Sequence, residues 1–131
     1  MKHRITAIAL LVCFPLVMSA QKEVMQKTGK EYVVNSGTLT DARGFKGKTP
    51  VEVHIEKGKI TKIVALNNME TPRFFDFVKN TLLPLYEKLT LKEAQELSEK
   101  THIDATTGAT LSANAMQRNI NAALKYYEKN K

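Results

Sequence analysis

The sequence predicts a small α+β protein, in which a small antiparallel β-sheet in the N-terminal half is packed by C-terminal helices. Two observations predict this class. In the first half of the chain, apolar and polar residues alternate as they do in strands with one buried face. In the second half, apolar residues recur at helical spacing. The 131 residues, 43% of them hydrophobic, suffice for a single domain after a signal peptide.

The first 20 residues have the form of a secretory signal peptide. Lys2 and Arg4 precede an almost uncharged stretch that ends at Ala20, and this order is typical of such leaders. The stretch is shorter than the roughly 20 apolar residues that cross a bilayer, so an uncleaved anchor is the less favoured alternative. We expect residues 1–20 to be the signal peptide, residues 21–30 a flexible lead-in and residues 31–131 the domain.

Export changes what the composition implies. Cleavage after Ala20 would remove Cys13, the single cysteine, and the loss of Lys2 and Arg4 would lower the formal charge from +7 to +5. A basic chain commonly binds nucleic acid, but an exported chain meets other anions. We therefore expect no nucleic-acid partner, and in its place an acidic redox partner, an anionic cofactor or an anionic envelope polymer.

The first strands are predicted from local composition. Residues 32–34 are β-branched and aromatic, residues 35–37 suit a turn, and residues 38–40 are expected to return as a partner strand. Residues 44–47, Gly-Phe-Lys-Gly, are predicted to form a glycine-rich loop.

A clear hairpin follows this loop. Residues 51–56 alternate between apolar and polar, the pair 57–58 is Lys-Gly, and residues 60–66 form the returning strand. Because the returning strand is more continuously apolar, we expect it to lie nearer the centre of the sheet. His54 falls on the polar phase of the alternation and is expected to be solvated.

The first helix is predicted to begin after Thr71, since Pro72 suits the first helical position. Pro84 should end or kink it near Leu83. The phenylalanines at positions 74, 75 and 77 are interpreted as core. The apolar stripe of this region consists of Phe74, Val78, Leu82, Leu85 and Leu89.

Two more helices are predicted. Thr90 and Glu93 match the capping box of a short helix. The last helix should start near Leu111 or Ser112 and run close to the C-terminus, packed on the sheet. Its apolar stripe consists of Ala113, Met116, Ile120, Ala123, Leu124 and Tyr127.

The loop that enters the last helix has a composition with two explanations. Residues 104–112 contain four hydroxyls, one carboxylate and one glycine. Such residues are favoured as helix caps, but the free N–H groups of a helix N-terminus also bind anions such as phosphate. Neither a Walker pattern nor a two-glycine dinucleotide fingerprint is present, so the common nucleotide motifs are excluded.

The same loop carries a specific motif. Asp104, Thr107, Gly108, Ala109 and Thr110 fit Asp-x-x-(Ser/Thr)-Gly-Ala-(Ser/Thr), which resembles the flavinylation motif of FMN-binding domains. That family includes the C subunit of the sodium-pumping NADH:quinone reductase and the G subunit of the Rnf complex. In these proteins an FMN transferase joins the FMN phosphate to the last hydroxyl of the motif. The resemblance implies a covalent FMN phosphoester on Thr110.

The resemblance extends from about residue 36 to residue 124. Residues 44–47 are similar to the family's early aromatic and glycine loop, residues 58–60 to its hairpin turn, and residues 70–72 to its Glu-Thr-Pro segment. The family often continues with glycines where this chain has Arg-Phe-Phe at positions 73–75, so the pocket wall there should differ. We expect a free-standing exported flavoprotein rather than a subunit of either complex.

The resemblance also implies which residues surround the phosphate. Gly108 would let the backbone approach it closely, and Thr107 or Ser112 would donate a hydroxyl. Asp104 would cap the loop or help the transferase recognise the motif. Ala109 and Leu111 complete the predicted set at this end of the cofactor.

Near the isoalloxazine ring, the resemblance implies Glu70 and Thr71. Phe45 is a candidate for packing on the ring, with a core or loop role as the alternative. His102 lies two positions before Asp104, so contact with the cofactor and simple exposure in the loop are both open.

The expected function follows from the cofactor. The sequence offers neither a nucleophile beside a base nor a cluster of metal ligands, so FMN would supply the redox chemistry. We expect an electron carrier or redox subunit, periplasmic or at the outer face of the cytoplasmic membrane, matured by an FMN transferase and working with a membrane or exported redox partner. The alternatives are a non-catalytic envelope-binding module with a basic surface and the flavin subunit of a larger exported reductase.

Overall fold

The structure is a computed structural model that describes residues 24–100 and 108–131. A four-stranded antiparallel sheet in the order β1-β2-β3-β4 occupies the N-terminal half, and helices follow it, which confirms the predicted α+β class. The strands are β1 (Met25–Thr28), β2 (Glu31–Asn35), β3 (Val51–Glu56) and β4 (Lys59–Ala65). The helices are α1 (Pro72–Leu82), α2 (Leu91–Lys100) and α3 (Gly108–Asn130), with a 3-10 helix (Leu83–Tyr86) after α1.

The prediction of a flexible lead-in over residues 21–30 is wrong for residues 25–28, which form strand β1. It pairs with β2, with Met25 opposite Val34 and Thr28 opposite Glu31, and Gly29 forms the turn with a φ of 64°. Its polar side chains suit the edge of a sheet that faces water, and for this reason the composition alone does not reveal a strand. The predicted signal peptide, residues 1–20, lies outside the described residues.

Strand β2 pairs with β3 on its other side, with Val34 opposite Val53. The return strand predicted at residues 38–40 is therefore wrong, and this stretch lies in a turn and an irregular segment. The Asn35 side chain explains the turn, since its Oδ1 accepts a hydrogen bond of 2.8 Å from the Gly37 N–H.

The β3–β4 hairpin is confirmed, but β4 lies at the edge of the sheet rather than near its centre. A bulge makes Thr61 an extra residue, because His54 lies opposite Lys62 and Ile55 opposite Ile60. The extra residue places Ile60 and Ile63 on the same buried face although they are three positions apart, and Val64 is exposed. The outer backbone of the strand is covered by the chain after the 3-10 helix, where Leu89 accepts a hydrogen bond of 2.9 Å from the Ile60 N–H.

The helix boundaries follow local signals closely. Pro72 occupies the start of α1, and the chain turns into the 3-10 helix around Pro84, as its ring requires. The capping box of α2 is confirmed, since Thr90 N donates to Glu93 Oε1 at 3.0 Å and Glu93 N donates to Thr90 Oγ1 at 3.3 Å. Helix α3 begins at Gly108, earlier than predicted, so Thr110 lies in its first turn.

The core lies between one face of the sheet and helices α1 and α3. All six residues of the predicted α3 stripe are buried. In α1 the core interpretation holds for Phe75 and is wrong for Phe74 and Phe77, which are exposed. Phe75, Val78 and Leu82 are spaced by three and four residues along one helical face, and the other two phenylalanines lie outside it. Leu85 is exposed as well, because the 3-10 helix changes the rotation per residue.

None of the helices in the described part of the chain is long and apolar enough to cross a membrane.

Candidate functional site

A buried carboxylate holds the loop at residues 44–47. Glu70 is 6% exposed, and its Oε1 accepts a hydrogen bond of 2.7 Å from the Phe45 N–H. Its Oε2 accepts hydrogen bonds of 2.6 Å from Lys46 N–H and 3.2 Å from Gly47 N–H. Three backbone donors thereby offset the cost of burying the charge.

The same carboxylate is joined to the beginning of α3. The Ser112 hydroxyl, which is also buried, donates to Glu70 Oε1 at 2.5 Å. In this structure the Ser112 proton is engaged by Glu70, and donation of a hydroxyl to the phosphate by Thr107 or Ser112 stays a prediction. Through Glu70, Ser112 thus links the second turn of α3 to the loop at residues 44–47.

Gly44 makes this arrangement possible. A Cβ at this position would lie 1.9 Å from Glu70 Oε1 and 3.1 Å from the Ser112 Cα, so only glycine leaves room for the carboxylate. The loop closes on itself through a hydrogen bond of 2.7 Å from Gly44 N–H to the Gly47 carbonyl. The sequence singles out this loop and Glu70 separately, but nothing in it reveals that they touch.

Thr110 presents a buried hydroxyl that has no hydrogen-bond partner among the described residues. It lies in the first turn of α3, together with Gly108 and Ala109. The first N–H groups of a helix lack partners within the helix, and the helix dipole makes this end positive. The first turn contains no acidic residue to occupy that end. This corner of the molecule therefore suits an anion attached to or touching Thr110.

Exposed apolar side chains flank the Glu70–Ser112 contact. Phe45 is 49% exposed and Leu111 is 51% exposed, which excludes a core role for Phe45. Leu111 precedes Ser112 along α3, and Phe45 lies in the loop that Glu70 holds. A flat aromatic ligand would find apolar surface here.

Thr71 lies beside this contact at the start of α1. Within the described residues its side chain makes no capping hydrogen bond, although its carbonyl accepts hydrogen bonds from the N–H groups of Phe74 and Phe75. Its hydroxyl is therefore not used by the helix that it precedes. The predicted site residues Asp104 and Thr107, together with His102, lie outside the described residues.

His54 is not the solvated residue that the strand pattern predicts. Its ring is buried between two carboxylates, with Nδ1 2.8 Å from Glu31 Oε1 and Nε2 2.9 Å from Glu52 Oε1. The hydrogen bond from His54 is the main cause that lowers the pKa of Glu31, and the positive charge of Lys62 acts in the same direction. Within residues 24–100 and 108–131, these side chains do not form a metal site, and no other group of His, Cys, Asp and Glu does.

A comparison with protein-family models gives one match. The model described as FMN-binding domain matches residues 44–125. This range begins at Gly44 and includes Glu70, Thr110 and Ser112, which are the residues that build the site. A comparison with curated proteins and one with solved structures gave no match.

Proposed function

The chain belongs to the FMN-binding domain family and FMN is its cofactor, and from this premise we propose that it is an exported electron-transfer protein carrying FMN as a phosphoester on Thr110. The observation that carries the proposal is the buried Thr110 hydroxyl, which lacks a hydrogen-bond partner in the described residues. A buried hydroxyl without a partner is costly, and a covalent bond at its oxygen would remove the unsatisfied donor.

The surroundings of Thr110 fit a linking phosphate. A phosphoester keeps one negative charge, which the positive end of α3 would stabilise. Gly108 and Ala109 contribute backbone N–H groups to this end, and Gly108 has no side chain to hinder the approach of the phosphate. Asp104 keeps the role that the family resemblance implies, in capping the loop or in recognition by the transferase. Thr107 keeps its role as a hydroxyl donor to the phosphate.

The ring would lie against residues already near the site. Phe45 and Leu111 offer exposed apolar surface, and Thr71 offers a hydroxyl that does not cap α1. Glu70 has both oxygens engaged by the loop and by Ser112. We therefore assign it a positioning role, which sets the loop that carries Phe45 rather than the ring itself. When bound, FMN supplies one- and two-electron chemistry.

Covalent attachment also suits the proposed location. Outside the cytosol a dissociated FMN would not readily be replaced, so a phosphoester would keep the protein active after export. The proposal therefore includes maturation by an FMN transferase and a redox partner in the membrane or the periplasm.

Co-expression with an FMN transferase tests the attachment. The intact mass of the wild type should rise by one FMN less one water, as phosphoester formation requires. Thr110→Ala should abolish the increase and Thr110→Ser should retain it. Thr106→Ala, which removes a hydroxyl at a position that the motif leaves unspecified, is the matched control and should behave as the wild type. An unmodified wild type, or a modified Thr110→Ala, would show that the assignment of Thr110 is wrong.

The location and the role have separate tests. Protein isolated from the periplasm should have the mass of a chain that begins at Gln21, and a mass that includes residues 1–20 would support an anchor instead. The flavinylated protein should be reduced by a membrane fraction supplied with a quinol. If reduction occurs only in a stable complex with another exported chain, the protein is a subunit of a larger reductase rather than a carrier.

A further inference from the structure

A basic groove runs along the C-terminal half of α3. It encloses about 460 Å³, and its walls come from α3 and from the segment between β2 and β3. Arg118, Lys125 and Lys129 line it from α3, and Leu39 and Thr40 face them. All three basic residues are exposed.

The three positive charges are not neutralised within the described part of the chain, where none of them forms an ion pair. The neighbouring carboxylates are engaged elsewhere. Asp41, which follows Thr40, lies 3.4 Å from Lys48, and Glu128 accepts a hydrogen bond of 3.3 Å from Gln95. The groove therefore presents a positive field that attracts an acidic partner.

A second observation inside the groove concerns hydrogen bonding. Asn121 lines it, and its Oδ1 is buried without a partner among the described residues. An amide oxygen needs a donor when it is buried. Sulfate, carboxylate and fully ionised phosphate groups offer only acceptors, whereas an acidic peptide offers carboxylates and also backbone N–H donors. The unpartnered oxygen therefore favours a peptide over a bare anion.

The spacing of the charges fits an extended chain. With a rise of about 1.5 Å per residue, Arg118 and Lys125 are separated by about 10 Å along α3 and Lys125 and Lys129 by about 6 Å. An extended peptide advances about 3.3 Å per residue. Side chains of an extended chain alternate between its two faces, so acidic residues at positions 1, 5 and 7 share one face. Their spacings of about 13 and 7 Å exceed those of the three cations by a few ångströms, which the long Arg, Lys and Glu side chains can span.

We propose that this groove binds an extended acidic segment of a partner protein. The three basic residues pair with carboxylates of the segment. The Asn121 side chain turns toward the groove, so that its Oδ1, which is buried without a partner among the described residues, accepts a backbone N–H of the segment. The proposal goes beyond the function argued above and does not depend on it, since none of these residues belongs to the set proposed to hold FMN.

The test uses a short fluorescent peptide with glutamates at positions 1, 5 and 7 and neutral residues elsewhere, with the full chain as binding protein. Fluorescence anisotropy should show saturable binding that weakens with salt, and a peptide with glutamines at the same positions should not bind. The triple variant Arg118→Gln, Lys125→Gln and Lys129→Gln should bind at least about tenfold more weakly, since each lost ion pair contributes modestly.

The matched control is the triple variant Lys57→Gln, Arg73→Gln and Lys92→Gln, which removes the same charge from exposed positions elsewhere. It should change the affinity by less than about threefold, because salt screens distant charges. An equal loss in both triple variants would mean that only net charge matters, and the proposal would be wrong.

Asn121→Ala separates the peptide from other anions. It should weaken peptide binding and leave the salt dependence unchanged, because it removes an acceptor and no charge. Vesicles of phosphatidylglycerol serve as the competing ligand. Binding to these vesicles that depends on the three groove cations, together with no binding of the peptide, would overturn the proposal in favour of a lipid surface.

Discussion

The hydroxyl of Ser112 donates a hydrogen bond of 2.5 Å to the carboxylate of Glu70, which lies 42 positions earlier in the chain. The same carboxylate accepts backbone N–H groups from the loop at residues 44–47. One buried side chain thus sets the position of that loop and of the beginning of α3, where Thr110 lies. Changes at this contact should therefore affect both the stability of the domain and the attachment of FMN.

Gly44→Ala should be destabilising. The added Cβ would lie 1.9 Å from Glu70 Oε1 and 3.1 Å from the Ser112 backbone, so the carboxylate would have to leave its position. We expect a loss of about 1–3 kcal/mol in the free energy of unfolding, as for other overpacked sites, measured by urea denaturation.

Gly47→Ala is the matched control for this change. It lies in the same loop, and no described atom lies within 4 Å of the added Cβ. We expect a change of less than about 0.5 kcal/mol at such an open position. Equal effects of the two substitutions would contradict the close packing of Gly44 on Glu70.

Ser112→Ala tests the contact from the side of the helix. Removing a donor from a buried carboxylate should cost about 1–3 kcal/mol. In the Glu70→Gln background the same substitution should cost less, because the charged acceptor is already gone. A double-mutant cycle by urea denaturation measures the difference, and additive effects would mean that the two side chains are not coupled.

Local signals account for part of the fold. The Lys57-Gly58 turn of the β3–β4 hairpin and the capping box at Thr90 and Glu93 are both predicted from a few neighbouring residues, because the interactions that form them lie within those residues. The edge position of β4 was not predicted, because its apolar sequence is typical of a central strand, whereas its outer backbone is covered by residues 88–89, which are distant in sequence. Strand β1 was missed for a similar reason, since its polar sequence is stabilised by pairing with β2.

The candidate site likewise has one part that is predicted from neighbouring residues and another that depends on contacts between distant segments. The motif around Thr110 identifies the end of α3 that we propose holds the cofactor, because the family resemblance is carried by consecutive residues. Glu70 accepts hydrogen bonds from N–H groups of the loop at residues 44–47 and from the Ser112 hydroxyl, and it thereby joins three segments that are distant in sequence. Each segment is recognisable alone, but the close approach of Gly44, Glu70 and Ser112 is a product of tertiary packing.

The Glu31–His54 contact should make the free energy of unfolding depend on pH in the acidic range. The pKa of Glu31 is lowered in the folded protein, chiefly by the hydrogen bond from His54, so the unfolded chain binds a proton more readily. Its contribution is therefore present above the ordinary glutamate pKa of about 4.3 and is lost as the pH falls through the lower, folded pKa. Glu31→Gln should reduce stability at pH 6 and have a smaller effect at pH 3, as measured by urea denaturation at both values.

A control for this pH dependence is Glu87→Gln, because within the described residues that exposed side chain makes no hydrogen bond or ion pair. Its effect should be small and nearly equal at the two pH values. If the destabilisation by Glu31→Gln were the same at pH 3 as at pH 6, the hydrogen bond to His54 would not be the source of the acid dependence.

Thr90→Ala should weaken the start of α2. It removes the side-chain acceptor for the Glu93 N–H, and loss of such a cap costs about 1 kcal/mol. The measurement is again urea denaturation, with Thr38→Ala at an exposed position between β2 and β3 as the control. Comparable losses in the two variants would argue that the cap contributes nothing beyond the change of residue.

Phe45→Ala should alter the flavin environment while leaving the fold intact. Phe45 is 49% exposed and its backbone N–H, which binds Glu70, survives the substitution, so stability should change by less than about 0.5 kcal/mol, as is usual at exposed positions. If its ring packs on the isoalloxazine of FMN attached at Thr110, the emission spectrum and yield of the flavin should change on substitution. Phe77→Ala removes a similarly exposed phenylalanine, 56% accessible on α1, and should leave the emission unchanged. Identical spectra for the two variants and the wild type would place the ring away from Phe45, and the exposed side chain of Leu111 would then be the apolar contact to test by the same measurement.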